Sequence, residues 1–190
     1  MSGDTAYCYP PDFSVLKNKL NIRDAADLDR VERRLVNTRI AKGVPTGKFD
    51  LAHLKAIHRH LFQDIYDWAG QVRTVEISKG GSQFQFRRYI ETGMADVHRR
   101  LVAGNFLKNL SIADFAREAG PIMGDVNYVH PFREGNGRTQ MIYLKQFVAQ
   151  AGHAIDLTRI ERDAWMASSR QAHIGRYDAM SECIARALTS

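Results

Sequence analysis

The sequence predicts an all-α bundle carrying one β-hairpin. Three observations lead there. Apolar residues recur at helical spacing through most of the chain, as in Leu51, Leu54, Ile57, Leu61 and Ile65. Gly and Pro punctuate these segments, at Gly43, Pro45, Gly104 and Gly152. Two-residue alternation is convincing only over Thr74–Ser78 and Ser82–Phe86, on either side of Lys79-Gly80-Gly81. At 190 residues, 44% hydrophobic and 25% charged, the chain is expected to form one domain over 1–190 with a sizeable core.

The elements follow in order. Tyr7 to Phe13 is expected to be irregular, because Pro10-Pro11 blocks regular structure. A short amphipathic piece with Val15, Leu16 and Leu20 comes next. Asp24 caps a helix running towards Lys42, with Leu28, Val31 and Leu35 on one face and Gly43 as its stop. Asp50 caps the next helix, which Asp67-Trp-Ala-Gly-Gln71 ends in a turn. Its His53, His58 and His60 share no single face, so they read as surface or interhelix residues rather than metal ligands. The hairpin must lean on something, because an isolated one is marginal, and its open edge suits another strand.

Arg87 to Ala103 reads as helix on Ile90, Met94, Val97 and Leu101. Ser111 caps another, with Phe115, Ile122, Val126 and Val129 inward and Gly120-Pro121 as a candidate bend. Ile142, Leu144, Phe147 and Val148 mark a helix that Gly152 stops. Thr158-Arg-Ile-Glu161 has the form of a capping box opening a helix through Trp165. Tyr177, Met180, Ile184 and Leu188 mark the last helix.

The net charge is +6. That would suit nucleic acid, an acidic partner or nucleotide phosphates. The arginine pairs (Arg33-Arg34, Arg87-Arg88, Arg99-Arg100) are dispersed along the chain, so nucleic acid is not expected as a partner. Cys8 and Cys183 offer neither a disulfide framework nor a zinc motif. Met1-Ser-Gly-Asp4 lacks the form of a leader and no run of 18 apolar residues occurs, so no membrane partner is expected and the expected location is cytoplasmic.

The chemistry is densest in His130-Pro-Phe-Arg-Glu-Gly-Asn-Gly-Arg138. Glycines allow a tight turn whose N–H groups converge on an anion. A helix N-terminus following at once adds free donors and a positive dipole end. Arg138 can grip phosphate with two parallel bonds. Glu134 is a hard ligand suited to Mg²⁺. His130, with an ordinary pKa of ~6.5, suits a general base. Together these describe phosphoryl or nucleotidyl transfer; a plain polar loop between helices is the other reading.

The same nine residues resemble the signature of the Fic family, H-x-F-x-[D/E]-G-N-G-R-x-x-R. The family's final arginine falls on Met141 here. Ile57 to Arg73 is similar to the helix and turn that precede the family's hairpin, and Val75-Glu-Ile-Ser-Lys-Gly-Gly81 to its flap. Cys8-Tyr-Pro with Val15-Leu-Lys-Asn-Lys-Leu-Asn-Ile22 resembles the start of short bacterial Fic toxins.

That resemblance implies a Fic-like helical bundle that transfers AMP from ATP to a Ser, Thr or Tyr hydroxyl of a target protein. His130 would deprotonate the hydroxyl and Phe132 would anchor the loop. Glu134 would hold Mg²⁺. Asn136, with the N–H groups of Gly135 and Gly137, would form the α-phosphate hole. Arg138 would contact the β-phosphate, and Arg133 is grouped with the nucleotide-binding residues. Ser78, Lys79 and Gly80 could touch the nucleotide, although Lys79 also suits a solvated turn. Trp165 and Tyr177 serve equally as adenine pocket or core. The inhibitory pattern [S/T]-x-x-x-E-[G/N] does not occur in the chain, so the resemblance implies a separate small antitoxin, with topoisomerase subunits of the gyrase B type as targets. Two other readings stand: a Fic-fold transferase moving phosphate, UMP or phosphocholine, and a non-catalytic basic binding module.

Overall fold

A computed structural model of the protein describes residues 4–189. The first three residues, part of the segment read for a leader, lie outside that range. Among the described residues seven helices form the bundle: α1 (Ala25–Ala41), α2 (Leu51–Phe62), α3 (Ile90–Ala103), α4 (Ile112–Val129), α5 (Asn136–Gln150), α6 (Arg162–Ala172) and α7 (Asp178–Ala187). Among the described residues no helix is long and apolar enough to cross a membrane.

Three caps follow the sequence. The carboxylates of Asp24 and Asp50 accept the N–H groups of Asp27 and His53, each at 2.8 Å, and Ser111 Oγ accepts that of Asp114 at 3.1 Å. The central element is α4. It is buried on nearly every side, with Phe115, Ala119, Met123 and Val126 inaccessible to solvent, and it packs on α3, α5, α6 and most extensively α7. Gly120 permits the α7 approach: a Cβ there would stand 2.0 Å from Ser181 Oγ. α4 continues through Gly120-Pro121, the candidate bend, and runs on to Val129. Pro121 cannot donate to the Arg117 carbonyl, and Ser181 Oγ takes that acceptor at 3.1 Å instead.

Other expectations need correction. The hairpin is far shorter than its alternation: β1 is Ser78–Lys79, β2 is Ser82–Gln83, and the turn is Gly80-Gly81. Beyond Gln83 one backbone bond still crosses the hairpin, from the Phe84 N–H to the Ile77 carbonyl at 3.2 Å, and the Gln85 N–H turns to the Tyr128 carbonyl; Phe84 is buried whereas Phe86 is 51% exposed. A second antiparallel pair joins β3 (Ala154–Ile155) to β4 (Leu188–Thr189), too short to show an alternation in sequence. Thr158 does not cap α6. Its hydroxyl bonds Asp156 in a turn of 3₁₀ helix, and Glu161 precedes α6 without a side-chain cap. The Val15–Leu20 piece is not helical; Leu16 forms an isolated bridge with Cys8. The inward stripe of α1 is Leu28, Glu32 and Val36, one residue off the Val31–Leu35 face, and it includes a carboxylate.

Candidate active site

The site lies where α4 hands over to α5. His130 is the residue after α4 and adopts the left-handed conformation, φ 46° and ψ 63°. A non-glycine residue persists there only where its surroundings hold it. The ring Nδ1 lies 3.0 Å from the Asn127 carbonyl oxygen. A carbonyl only accepts, so Nδ1 carries the hydrogen and Nε2 carries the free lone pair. The Phe84 ring stacks on the imidazole at 3.7 Å. Burial pushes the pKa of His130 down to about 3; the Asn127 bond opposes the shift, and the nearby charges of Arg73, Lys79 and His173 add to it. At neutral pH the ring is therefore uncharged, with Nε2 as an acceptor.

The loop from His130 to α5 is closed by its own residues. Asn136 Oδ1 accepts the Phe132 N–H at 2.9 Å and Asn136 Nδ2 donates to the Phe132 carbonyl at 2.7 Å. The buried amide thus holds the loop with its oxygen and with one of its two N–H donors. Phe132 is fully buried against His58, their rings 3.9 Å apart. His58 Nδ1 accepts the Gly70 N–H at 2.8 Å, which makes Nε2 the donor to the Glu134 carbonyl at 3.0 Å. Burial lowers the His58 pKa to about 4, so it stays neutral in this role.

Gly135 precedes α5 with φ +81°, and a Cβ there would meet Phe62 at 2.4 Å. Only glycine suits both demands. Gly137 is exposed, and nothing lies within 4 Å of where its Cβ would stand. That open space sits over the first turn of α5, where helical N–H groups lack intrahelical partners. The Gly135 N–H, expected to face phosphate, donates to Glu134 Oε1 at 2.8 Å.

Glu134 is half exposed, and its Oε1 lies 3.8 Å from Arg138 Nη2. Arg138 also pairs with Glu32 of α1 and lies over the Phe62 ring at 4.8 Å. Arg133 turns away from this cluster. Its Nε binds Asp4 at 2.5 Å and Nη2 lies 3.7 Å from Cys8 Sγ, so it ties the N-terminal segment to the loop. Ser78, Lys79 and Gly80 form the exposed tip of the flap. Trp165 lies on α6 and is buried, and the hydroxyl of Tyr177, the residue before α7, donates to Asp125 of α4 at 2.7 Å.

Four contributors escape the sequence reading. Arg73, 2% exposed, is the clearest. Its Nε donates to the His130 carbonyl at 2.9 Å, Nη1 to that of Val75 at 2.8 Å, and Nη2 to that of Gln85. One guanidinium thus fastens both arms of the flap to the loop that carries His130. The others are His58, Phe84 and Glu32. A signal existed only for Glu32, as a carboxylate four residues from Leu28 and from Val36 on one helix stripe. Of the other α2 histidines, His53 bridges Phe49 and Gln146, and His60 faces the Arg39 carbonyl. Among the described residues no group of three or more His, Cys, Asp or Glu is placed to hold a metal ion.

Comparison with known proteins returns one family, Fic/DOC, whose model matches residues 48–148. The chain is 40% identical over 182 residues to the protein adenylyltransferase VbhT of Bartonella schoenbuchensis, covering 94% of this chain and 38% of that protein. It therefore spans well under half of that relative. It is 39% identical to the probable protein adenylyltransferase y4lH of Sinorhizobium fredii, covering 81% of this chain and 80% of that one. For the probable protein adenylyltransferase Fic of Escherichia coli the identity is 33%, over 94% and 89% of the two chains. Among solved structures, the N-terminal Fic domain of a Bartonella effector superposes with TM-score 0.89 at 25% identity, over 97% of this chain and 91% of that one. An ADP-bound Fic domain from Bartonella quintana gives 0.86 at 26%, over 97% and 94%.

Proposed function

Because the chain belongs to the Fic/DOC family, we propose that it is a protein adenylyltransferase that moves AMP from ATP to a hydroxyl side chain of a target protein. One observation carries the reading: a neutral His130, its Nε2 free of hydrogen, sits in the short loop that leads from α4 into the first turn of α5, which is open over Gly137. In the reaction the target hydroxyl oxygen forms a bond to the α-phosphorus. The bond from that phosphorus to the bridging oxygen breaks, pyrophosphate leaves, and the hydroxyl proton passes to Nε2.

The remaining residues orient and stabilise. The first turn of α5, open over Gly137, accommodates the α-phosphate. Arg138 faces the β-phosphate of the leaving group. Asn136 contributes by holding the loop. Ser78, Lys79 and Gly80 lie on the flap, whose edge would register the target's backbone by strand addition. The half-exposed Glu134 carboxylate fits Mg²⁺, an ion that takes one or two carboxylates plus substrate phosphates. When bound, the ion neutralises phosphate charge.

The reading extends to residues 1–190 as one cytoplasmic Fic domain, acting as the toxin of a toxin–antitoxin pair. A small antitoxin would supply inhibition, and type II topoisomerase subunits would be targets. What supports this is the resemblance of the N-terminal segment to short toxins and the missing in-chain inhibitory pattern.

The test is incubation with bacterial lysate and ATP labelled at the α-phosphate. Label should appear on a protein band and vanish with His130→Ala. Label arriving only from the γ-phosphate, or none from any nucleotide, overturns the reading. Growth arrest on expression, absent in His130→Ala, is the result expected of a toxin.

A further inference from the structure

Glu32 is out of place by composition: a carboxylate on the inward stripe of α1, between Leu28 and Val36, only 5% exposed. Buried carboxylates persist when both oxygens are engaged. Here Glu32 Oε2 accepts the Tyr66 hydroxyl, and Oε1 pairs with Arg138 Nη2. Tyr66 is itself fixed, 1% exposed and stacked on Trp68 at 4.3 Å. Its burial and the Glu32 charge raise its pKa well above the ordinary phenol range, so the hydroxyl remains a donor.

The consequence falls on Arg138. Phe62 lies under one face of its guanidinium, Glu32 takes one nitrogen, and Glu134 stands 3.8 Å away. A pocket of about 270 Å³ opens beside these groups, lined in part by Leu28, Glu32, Tyr66, Glu134 and Arg138. An arginine carries five N–H donors, so one bond to Glu32 leaves others for an anion in that space. A free arginine would lose side-chain entropy on binding a phosphate, and one already held loses less.

We infer that Glu32, anchored by Tyr66, is a positioning residue that presents the Arg138 guanidinium to the β-phosphate of the nucleotide. The inference rests on the proposed AMP transfer for the identity of the ligand. Glu32 also carries a negative charge, and a negative charge near a phosphate opposes binding. Geometry decides in favour of positioning: the carboxylate is held from the core by Tyr66, away from solvent, and addresses only one edge of Arg138.

The experiment is titration of the full chain with ATP and with AMP, which lacks the β-phosphate, alongside steady-state transfer. Glu32→Ala should weaken ATP binding about tenfold and leave AMP binding unchanged. It should raise the KM for ATP more than it lowers kcat. Glu32→Gln keeps one oxygen for Arg138 and can turn its amide N–H to the Tyr66 hydroxyl oxygen, so it should recover most of the affinity. Tyr66→Phe should give an intermediate loss and guards against misfolding of the alanine variant; thermal melts of all three report on folding. Equal loss for ATP and AMP, or tighter ATP binding in either Glu32 variant, overturns the inference. If wild-type protein transfers no AMP, the proposed reaction fails while the ATP-against-AMP comparison still judges Glu32.

Discussion

The Phe84 ring lies parallel to the His130 imidazole, 3.7 Å away and 18° from coplanar. The flap thus lays a hydrocarbon face on the proposed general base, and burial is the largest cause of the fall in its pKa to about 3. Phe84→Ala should therefore raise the His130 pKa towards the ordinary ~6.5. A ring-proton NMR titration reads this directly. The acid limb of kcat/KM should move to higher pH in the variant, because the base is lost to protonation earlier. An unmoved titration would mean that other elements keep the ring dry.

Arg73 bonds carbonyls on the loop and on both arms of the flap. Arg73→Lys keeps the charge but not the planar fork, so it cannot span all three. We expect kcat to fall ~10–100-fold, since misplacement of about 1 Å costs on that scale. Amide exchange of the flap should accelerate, with α2 and α5 unaffected.

His58 has a folded pKa of about 4 against ~6.5 unfolded. Between these values the unfolded chain holds a proton that the folded chain does not. Stability from this group is therefore complete above about pH 6.5 and lost as pH falls towards 4. His130 contributes with the same sign. His58→Gln removes one titrating group, so the slope of unfolding free energy between pH 6 and 4.5 should flatten by up to ~1.4 kcal/mol per pH unit. Denaturant titrations at several pH values measure it.

Gly135→Ala must accommodate both a positive φ and a contact of 2.4 Å with Phe62. The two together should cost about 2–3 kcal/mol of stability. Transfer activity should fall further than stability does, since the same residue sets the entry of α5. Chemical denaturation and the labelling assay separate the two effects.

Met141 stands one turn beyond Arg138 on α5 and packs partly against the core. Residues three apart share a helix face, so Met141→Arg places a second cation beside the first. One charge-assisted bond is worth ~1.5–3 kcal/mol, which predicts ATP binding tighter by about tenfold or more. Calorimetric titration checks it; unchanged affinity would show that position 141 does not reach the nucleotide.

The sequence by itself determined what is local. The caps Asp24, Asp50 and Ser111, the apolar periods of α2, α3 and α4, and the residue types between His130 and Arg138 are all contiguous patterns, and they stand where the chain implied. Short range also misled: alternation over Thr74–Phe86 exaggerated the strands, and Thr158-Arg-Ile-Glu161 offered a capping box that the fold does not use. Only the tertiary structure decided how the loop is held and aimed. Arg73 meets His130 across 57 positions, His58 meets Glu134 across 76, and Glu32 of α1 meets Arg138 of α5. No periodicity encodes such pairs, because they exist only once burial has made each polar group find a partner. The same burial lowers the pKa of His130, so the chain spells out the imidazole while the fold sets its basicity.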